Sequence, residues 1–371
     1  MPDSSAVMFP PPSNPDSAGL RQCCWRGQVP EWTGPALERL YGNLFATLLQ
    51  FRLSRDLTQA HTYATFEGSE LRTLFVFSLR RGVVQVFNEV VCLGSAEIDA
   101  FASYVFTHFR GARVVSLRAV HLARAGWRYP HQQYDYLEDT WIALPATAAA
   151  YTDGLSKNTR RNLRRYQQSL RDEVPGYTFE LAERGAADPA QIDAIIALNH
   201  ARMASKNKQS ALDAQHSAQL RQLAASCGLV GTISIDGRVC AGAISYRVGD
   251  NYFLMVLAHD PEYNHHSLGF LCCYQTICAC IERGGREFHF LWGRYDYKRT
   301  FLGQQRALDQ LLLYRTPLAM LRHAGLALRT WSAAQRRRLL LRLQLAARSE
   351  HGATRAALHC LAALRRLRQR A

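Results

Sequence analysis

The sequence predicts an α+β protein: a mixed, mainly antiparallel sheet flanked by helices, in two halves, followed by a basic helical tail. Three observations carry this. Short Val-, Phe- and Ile-rich runs are interspersed with segments of helical spacing, rather than gathered at one end. Residues 229–260, LVGTISIDGRVCAGAISYRVGDNYFLMVLAHD, hold three strand-like runs joined at Asp236-Gly237 and Gly249-Asp250, pairs suited to tight hairpin turns. Both halves also run in the order hairpin, helix, strand, which predicts one fold written twice.

The elements follow in order. Residues 1–20 are rich in Pro and Ser and lack the basic-then-apolar order of a signal peptide, so a disordered leader is expected. Residues 21–149 form the first half. It has a helical pattern in PEWTGPALERLYGNLFATLLQFRL, two strands joined at Arg81-Gly82, a helix from Ser95 to Gly111, and the strand RVVSLRAV. Residues 150–316 form the second half. A basic helix capped by Ser156 leads to the strand YTFELA, two helices and the three-strand meander. An apolar helix from Ser267 to Gly284-Gly285, the strand EFHFLW, a helical turn and the strand DQLLLYR complete it. Alternation along EFHFLW predicts that Phe288, Phe290 and Trp292 point one way. Residues 317–371 read as two helices broken near Gly352.

The bulk numbers narrow the class. A chain of 371 residues with 48% apolar content suits two domains. No run of eighteen uncharged apolar residues exists to span a membrane. Ten cysteines, four of them in SLGFLCCYQTICACIERGG, form no C-x-x-C pair. They read as small buried hydrophobes in a reducing cytoplasm, and no metal is expected. The charge of +15 is concentrated, with thirteen arginines and one acid between Arg315 and the C terminus. Leucine with arginine and almost no acid fits an interfacial helix. That predicts a cytoplasmic protein held peripherally on the inner face of the membrane by anionic lipid. Basic runs without interleaved aromatics argue against specific nucleic-acid binding.

Two stretches suggest chemistry. In HDPEYNHHSLGFLCCYQTI a strand ends at His259, and an uncharged helix starts at Ser267-Leu268-Gly269. Its free N–H groups and partial positive charge suit a pyrophosphate. In SKNTRRNLRR, Lys157, Arg160, Arg161, Arg164 and Arg165 fall within three helical turns and suit phosphates of an acceptor or cofactor; a solvated face is the other reading. Lys157, Arg161 and Arg165, with Lys206 and Lys208 in a matching polar loop, are the candidate substrate contacts.

Four stretches together resemble the CelD-type acetyltransferase family of the GNAT superfamily, related to Fem-type aminoacyltransferases. They are residues 141–165, 198–210, 236–269 and 284–303, the last being GGREFHFLWGRYDYKRTFLG. The resemblance implies two GNAT-like halves, the second being the acyltransferase domain. It also implies acyl transfer from acetyl-CoA or another acyl-CoA to a small acceptor. By position, Ser267 and Gly269 match the helix start that receives cofactor phosphates, and Gly293, Tyr297 and Lys298 match the family's glycine and Tyr-Lys pair. This chain departs with Leu268 inside a Ser-Pro-Gly pattern, His289 in place of an aspartate, and Met203 in place of a tryptophan.

Such a reaction needs the nucleophile's proton removed, donors for the oxyanion, and a proton for the leaving thiolate. A backbone N–H near Leu257 is the candidate donor and Tyr297 the candidate acid. His289 or Asp296 is the candidate proton acceptor; a core hydrogen bond for His289, and an ion pair of Asp296 with Arg294 or Lys298, are the structural alternatives. With Ser267, Leu268, Gly269 and Lys298 on the cofactor, the expected activity is N-acyl transfer to a sugar, an amino acid or a cell-envelope or polysaccharide precursor. The alternatives are aminoacyl transfer from charged tRNA, or a non-catalytic domain that binds a membrane or a partner.

Overall fold

The computed structural model describes residues 20–122, 126–205 and 210–346. The leader up to residue 19, Lys206, Lys208 and the break near Gly352 lie outside them. In chain order the first elements are β1 (Leu20–Trp25), α1 (Thr33–Tyr41), α2 (Leu48–Ser54), β2 (Ala60–Glu67), β3 (Glu70–Arg80), β4 (Val83–Val86) and β5 (Cys92–Leu93). Then come α3 (Ser95–His108), β6 (Val114–Leu122), β7 (His131–Ala143), α4 (Ala148–Gly154), α5 (Lys157–Glu173) and β8 (Tyr177–Glu183). After α6 (Pro189–Ala204) and α7 (Ala214–Cys227) the meander is β9 (Gly228–Ile235), β10 (Arg238–Val248) and β11 (Asn251–His259). The last are α8 (Leu268–Glu282), β12 (Glu287–Leu291), α9 (Asp296–Thr300), β13 (Gln304–Tyr314), α10 (Pro317–Arg322) and α11 (Ala324–Ala346).

The chain forms two compact units, neither continuous in sequence. Among the described residues, one comprises those within 20–78, 86–92 and 138–307; the other comprises those within 79–85, 93–137 and 308–346. In the second, β6 pairs parallel with β4 and antiparallel with β13. Val114, Leu312 and Tyr314 form its buried contact, with Met320 and Leu326 of α10 and α11 packed against them. The tail breaks at His323, where α10 ends and α11 begins.

The first unit carries the meander. Its strands pair in the order β8, β9, β10, β11, β12 and the end of β7, and only the β11–β12 pair is parallel. The predicted mixed, mainly antiparallel sheet is therefore present. Asp236 and Gly237 both take positive φ, 50° and 77°, as a tight hairpin requires. Alternation divides the core into two layers. Tyr252, Leu254, Phe288 and Phe290 pack with Leu271, Cys272 and Ile277 of α8 and Leu163 of α5. Phe253, Val256, Ala258 and Leu291 face the other way, with Ile192, Ile195 and Leu220 of α6 and α7. The phase changes at Met255, where a bulge in the β10–β11 register inserts one residue.

Two sequence expectations change here. β1 and β2 pair antiparallel, and β2 pairs with β3, so the first hairpin lies at Gly68 as well as beyond Arg80. Trp292 does not share a side with Phe288 and Phe290. Leu291 takes φ 57° beside a register shift against β7, and Trp292 lands 5.1 Å from Phe45 in the opposite layer.

Candidate active site

β11 and β12 pair only from Asn251–Glu287 to Phe253–His289, although β11 continues to His259. Beyond Phe253 the two parallel strands are no longer paired to each other. The Asp260 N–H donates to Cys240 O on β10 at 2.8 Å. Backbone groups alternate edges along a strand, so Leu257 turns its N–H and C=O away from β10. Arg202 of α6 reaches that carbonyl through Nη1 at 3.4 Å. The N–H of Leu257 shares the same edge.

Helix α8 starts without a side-chain cap. Ser267 sits at φ 52°, ψ 44°, and its carbonyl accepts from the N–H groups of Phe270 and Leu271. Among the described residues, the N–H groups of Leu268 and Gly269 have no backbone acceptor. Gly269 is required by close approach: a Cβ there would lie 2.5 Å from His259 Nδ1. Leu268 is fully buried in the α8 core layer, so its side chain anchors the helix start.

A cleft of about 700 Å³ opens beside this helix start. α5 contributes Asn158, Thr159, Asn162 and Tyr166; Phe270 comes from α8 and Ser267 from just before it, and Asp296, Tyr297 and Arg299 from α9. Ser156 caps α5 by accepting from Thr159 N–H at 3.2 Å, as the sequence predicts. Hydrogen bonding from Ser267, and then from Arg165, holds the Tyr166 phenol below its usual pKa. Burial pushes the Tyr297 phenol well up, against a lowering influence from Arg202. Tyr297 is thus a protonated phenol at neutral pH, and among the described residues no hydrogen bond engages its hydroxyl.

Of the candidate residues, Tyr297, Asp296 and Ser267 meet in this cleft. His289 does not. It is 2% exposed, with Nδ1 2.6 Å from Asp139 Oδ2, Nε2 3.1 Å from Glu287 Oε2, and its ring stacked 4.5 Å from Phe253. Its place is the layer facing α6, for the alternation that buries Phe288 and Phe290 toward α8 turns His289 the other way. Lys298 is also withdrawn. Its ammonium donates to Leu291 O at 3.0 Å and Trp292 O at 2.6 Å, which holds the turn after β12. Arg294 forks onto Glu138 at 2.7 Å. Lys157, Arg161 and Arg165 are exposed and line no part of the cleft; Arg161 bonds Asn158 and Arg165 covers the Tyr166 ring. Arg160 is spent on the carbonyls of Asp153 and Leu155.

Sequence reading missed Arg202, Asn162 and Tyr166. The i, i+4 spacing of Asn162 and Tyr166 after the Ser156 cap is the signal that points to them.

The Lys298 site gives a pH prediction. Burial lowers its pKa to about 8 from 10.5, although Asp139 and Glu138 act the other way. Below pH 8 the folded protein bears the full cost of the buried charge. Between about pH 8 and 10.5 the unfolded chain holds a proton the folded one has released, so this group's contribution becomes more favourable as pH rises, by about 3 kcal/mol in all. Urea denaturation across that window, on wild type and Lys298→Met, isolates it. Equal pH slopes for the two proteins would exclude the effect.

Comparison with known proteins agrees with this geometry. No curated protein matches the chain. The fold is similar to that of FemX (9% identity, TM-score 0.58, 81% of this chain and 99% of that one). Weaker likenesses join it to a tandem GNAT protein from the clavulanic acid biosynthesis pathway (10% identity, TM-score 0.40, 79% and 98%). L-PGS from Bacillus licheniformis is another (14% identity, TM-score 0.40, 66% and 81%). Residues 157–299 match the family described as acetyltransferase (GNAT) domain. That segment holds α5, the meander, α8 and most of α9, which supply the cleft and the gap between β11 and β12, and its match supports an acyltransferase.

Proposed function

We propose that this protein transfers an acyl group from an acyl-CoA to an amine on a sugar, an amino acid or a cell-envelope or polysaccharide precursor, as a cytoplasmic enzyme of CelD type. One observation carries the reading: the uncapped start of α8 opens beside a polar cleft that also holds a protonated tyrosine. The residues fit the co-substrate. Amides of Leu268 and Gly269 supply donors for phosphate oxygens. Bound acyl-CoA supplies an activated thioester. Leu257 N–H is the donor for the acyl oxygen, Tyr297 delivers its phenolic proton to the departing sulfur, and Asp296 takes the amine's proton. Titration calorimetry with acetyl-CoA and with acetyl-pantetheine, which lacks the phosphates, tests this. Binding of the first and much weaker binding of the second is expected; no binding of acetyl-CoA rejects it.

The exposed ridge Lys157, Arg161 and Arg165 beside the cleft favours a second reading, in which a charged tRNA is the acyl donor. Turnover with aminoacyl-tRNA and none with acetyl-CoA would select it.

The second unit suggests where the enzyme works. No helix among the described residues is long and apolar enough to cross a membrane. Yet Leu321 and Leu328 are 73% and 64% exposed, and Trp331 and Leu339 about half, among Arg322, Arg329, Arg336 and Arg338. This face suits the surface of an anionic bilayer, where each basic residue adds about 1 kcal/mol. Full-length protein is expected to sediment with phosphatidylglycerol vesicles. A protein ending at residue 316 and the Leu321→Gln, Leu328→Gln double variant should stay in the supernatant. Equal sedimentation of all three would dismiss membrane attachment.

A further inference from the structure

The C-terminal turn of α5 and the segment Pro261–His266 bring together three side chains the acyltransferase chemistry does not use. Ligand atoms of Glu173, His265 and His266 all lie within 4.8 Å of one another. Ser169 fixes where the protons are. Its hydroxyl is 2.8 Å from Glu173 Oε1 and 3.0 Å from His266 Nδ1. A carboxylate only accepts, so the one hydroxyl proton goes to Glu173, and His266 Nδ1 must donate to Ser169 Oγ.

His266 is 1% exposed. A neutral ring that carries its proton on Nδ1 has a lone pair on Nε2. That lone pair faces Glu173 Oε2 at 3.8 Å. A metal ion between them would take both as ligands. The His265 ring, its centroid 3.9 Å from that of His266, brings a third donor to the same point.

We propose that Glu173, His265 and His266 bind a divalent transition-metal ion, zinc by preference, with Ser169 holding Glu173 and His266 in position. Two imidazoles and a carboxylate are the donor set of zinc rather than of magnesium or calcium. Zinc bonds of about 2.0–2.2 Å place tetrahedral donors about 3.4 Å apart, so the Nε2–Oε2 separation needs only slight closure. A histidine with its second nitrogen hydrogen-bonded is how proteins orient such ligands. The ion ties the end of α5 to the segment that leads into Ser267, and so steadies two walls of the cleft. No cysteine spacing points to it, because Glu173 stands far from the histidines in sequence.

Tag-free, full-length protein titrated with zinc by calorimetry, and with cobalt followed by visible absorption, tests the site. One zinc per chain is expected, with a cobalt spectrum free of thiolate charge transfer. Glu173 and His265 are exposed, so variants there should fold. Glu173→Gln keeps an acceptor for Ser169 but removes the charge; it and His265→Ala should each weaken zinc binding about tenfold or more. No zinc binding, or binding equal in wild type and Glu173→Gln, overturns the proposal.

Discussion

Replacing His289 with alanine is expected to destabilise the protein by about 3–5 kcal/mol, the cost of leaving one member of a buried charged pair alone. Asp139 is fully buried, and its Oδ1 already has no hydrogen-bond partner among the described residues. The histidine on Oδ2 is what compensates it. Burial disfavours the imidazolium, but the Asp139 hydrogen bond and the Glu287 carboxylate outweigh it, and the His289 pKa rises above 6.5. A raised pKa means the stabilisation is fully present below pH 6.5 and fades as pH climbs through the folded-state value. The gap between wild type and His289→Ala should therefore be wider at pH 6 than at pH 9. Urea denaturation at both values measures it, and a loss under 1 kcal/mol would show that Asp139 is compensated elsewhere.

Removing the Tyr297 hydroxyl should act on turnover instead. Tyr297→Phe is expected to lower kcat about 10²–10⁴-fold, the usual contribution of a positioned general acid, while acetyl-CoA still binds. The ring packs against Phe290 and Tyr295, contacts that phenylalanine preserves, so stability should barely change. Release of free thiol from acetyl-CoA follows the rate. Because burial raises the phenol's pKa, this group should produce no fall in rate at mildly alkaline pH. An unaltered kcat would remove Tyr297 from the chemistry.

What the sequence discloses is what neighbouring residues decide. Asp236-Gly237 and Gly249-Asp250 mark their turns, Ser156 caps α5, and the apolar run after Ser267 is α8, because each depends on contacts a few residues away. Ser267 is a subtler case. Its residue type predicts a capping side chain, yet at φ 52° the backbone turns it from that role and into the cleft. Distant pairings leave no local mark. Nothing near His289 announces Asp139, which lies 150 residues earlier. Lys298 looks like a free cation in YDYKRT, and only the bend at Leu291 supplies the two carbonyls that claim it. Arg202 likewise gains meaning only once α6 packs over the end of β11.

The pairing of β12 with β7 bears on how the protein is made. Residues 140–143 find their β12 partners at 287–291. At about 5–20 residues per second, a ribosome takes on the order of 10–30 s to add the intervening chain. Throughout that interval Asp139 has been synthesised and His289 has not. A gene fragment cut to the matched segment 157–299 would make this permanent, producing a histidine that never meets its carboxylate. Expression of the acyltransferase should therefore begin well upstream of its family boundary, with β7 included.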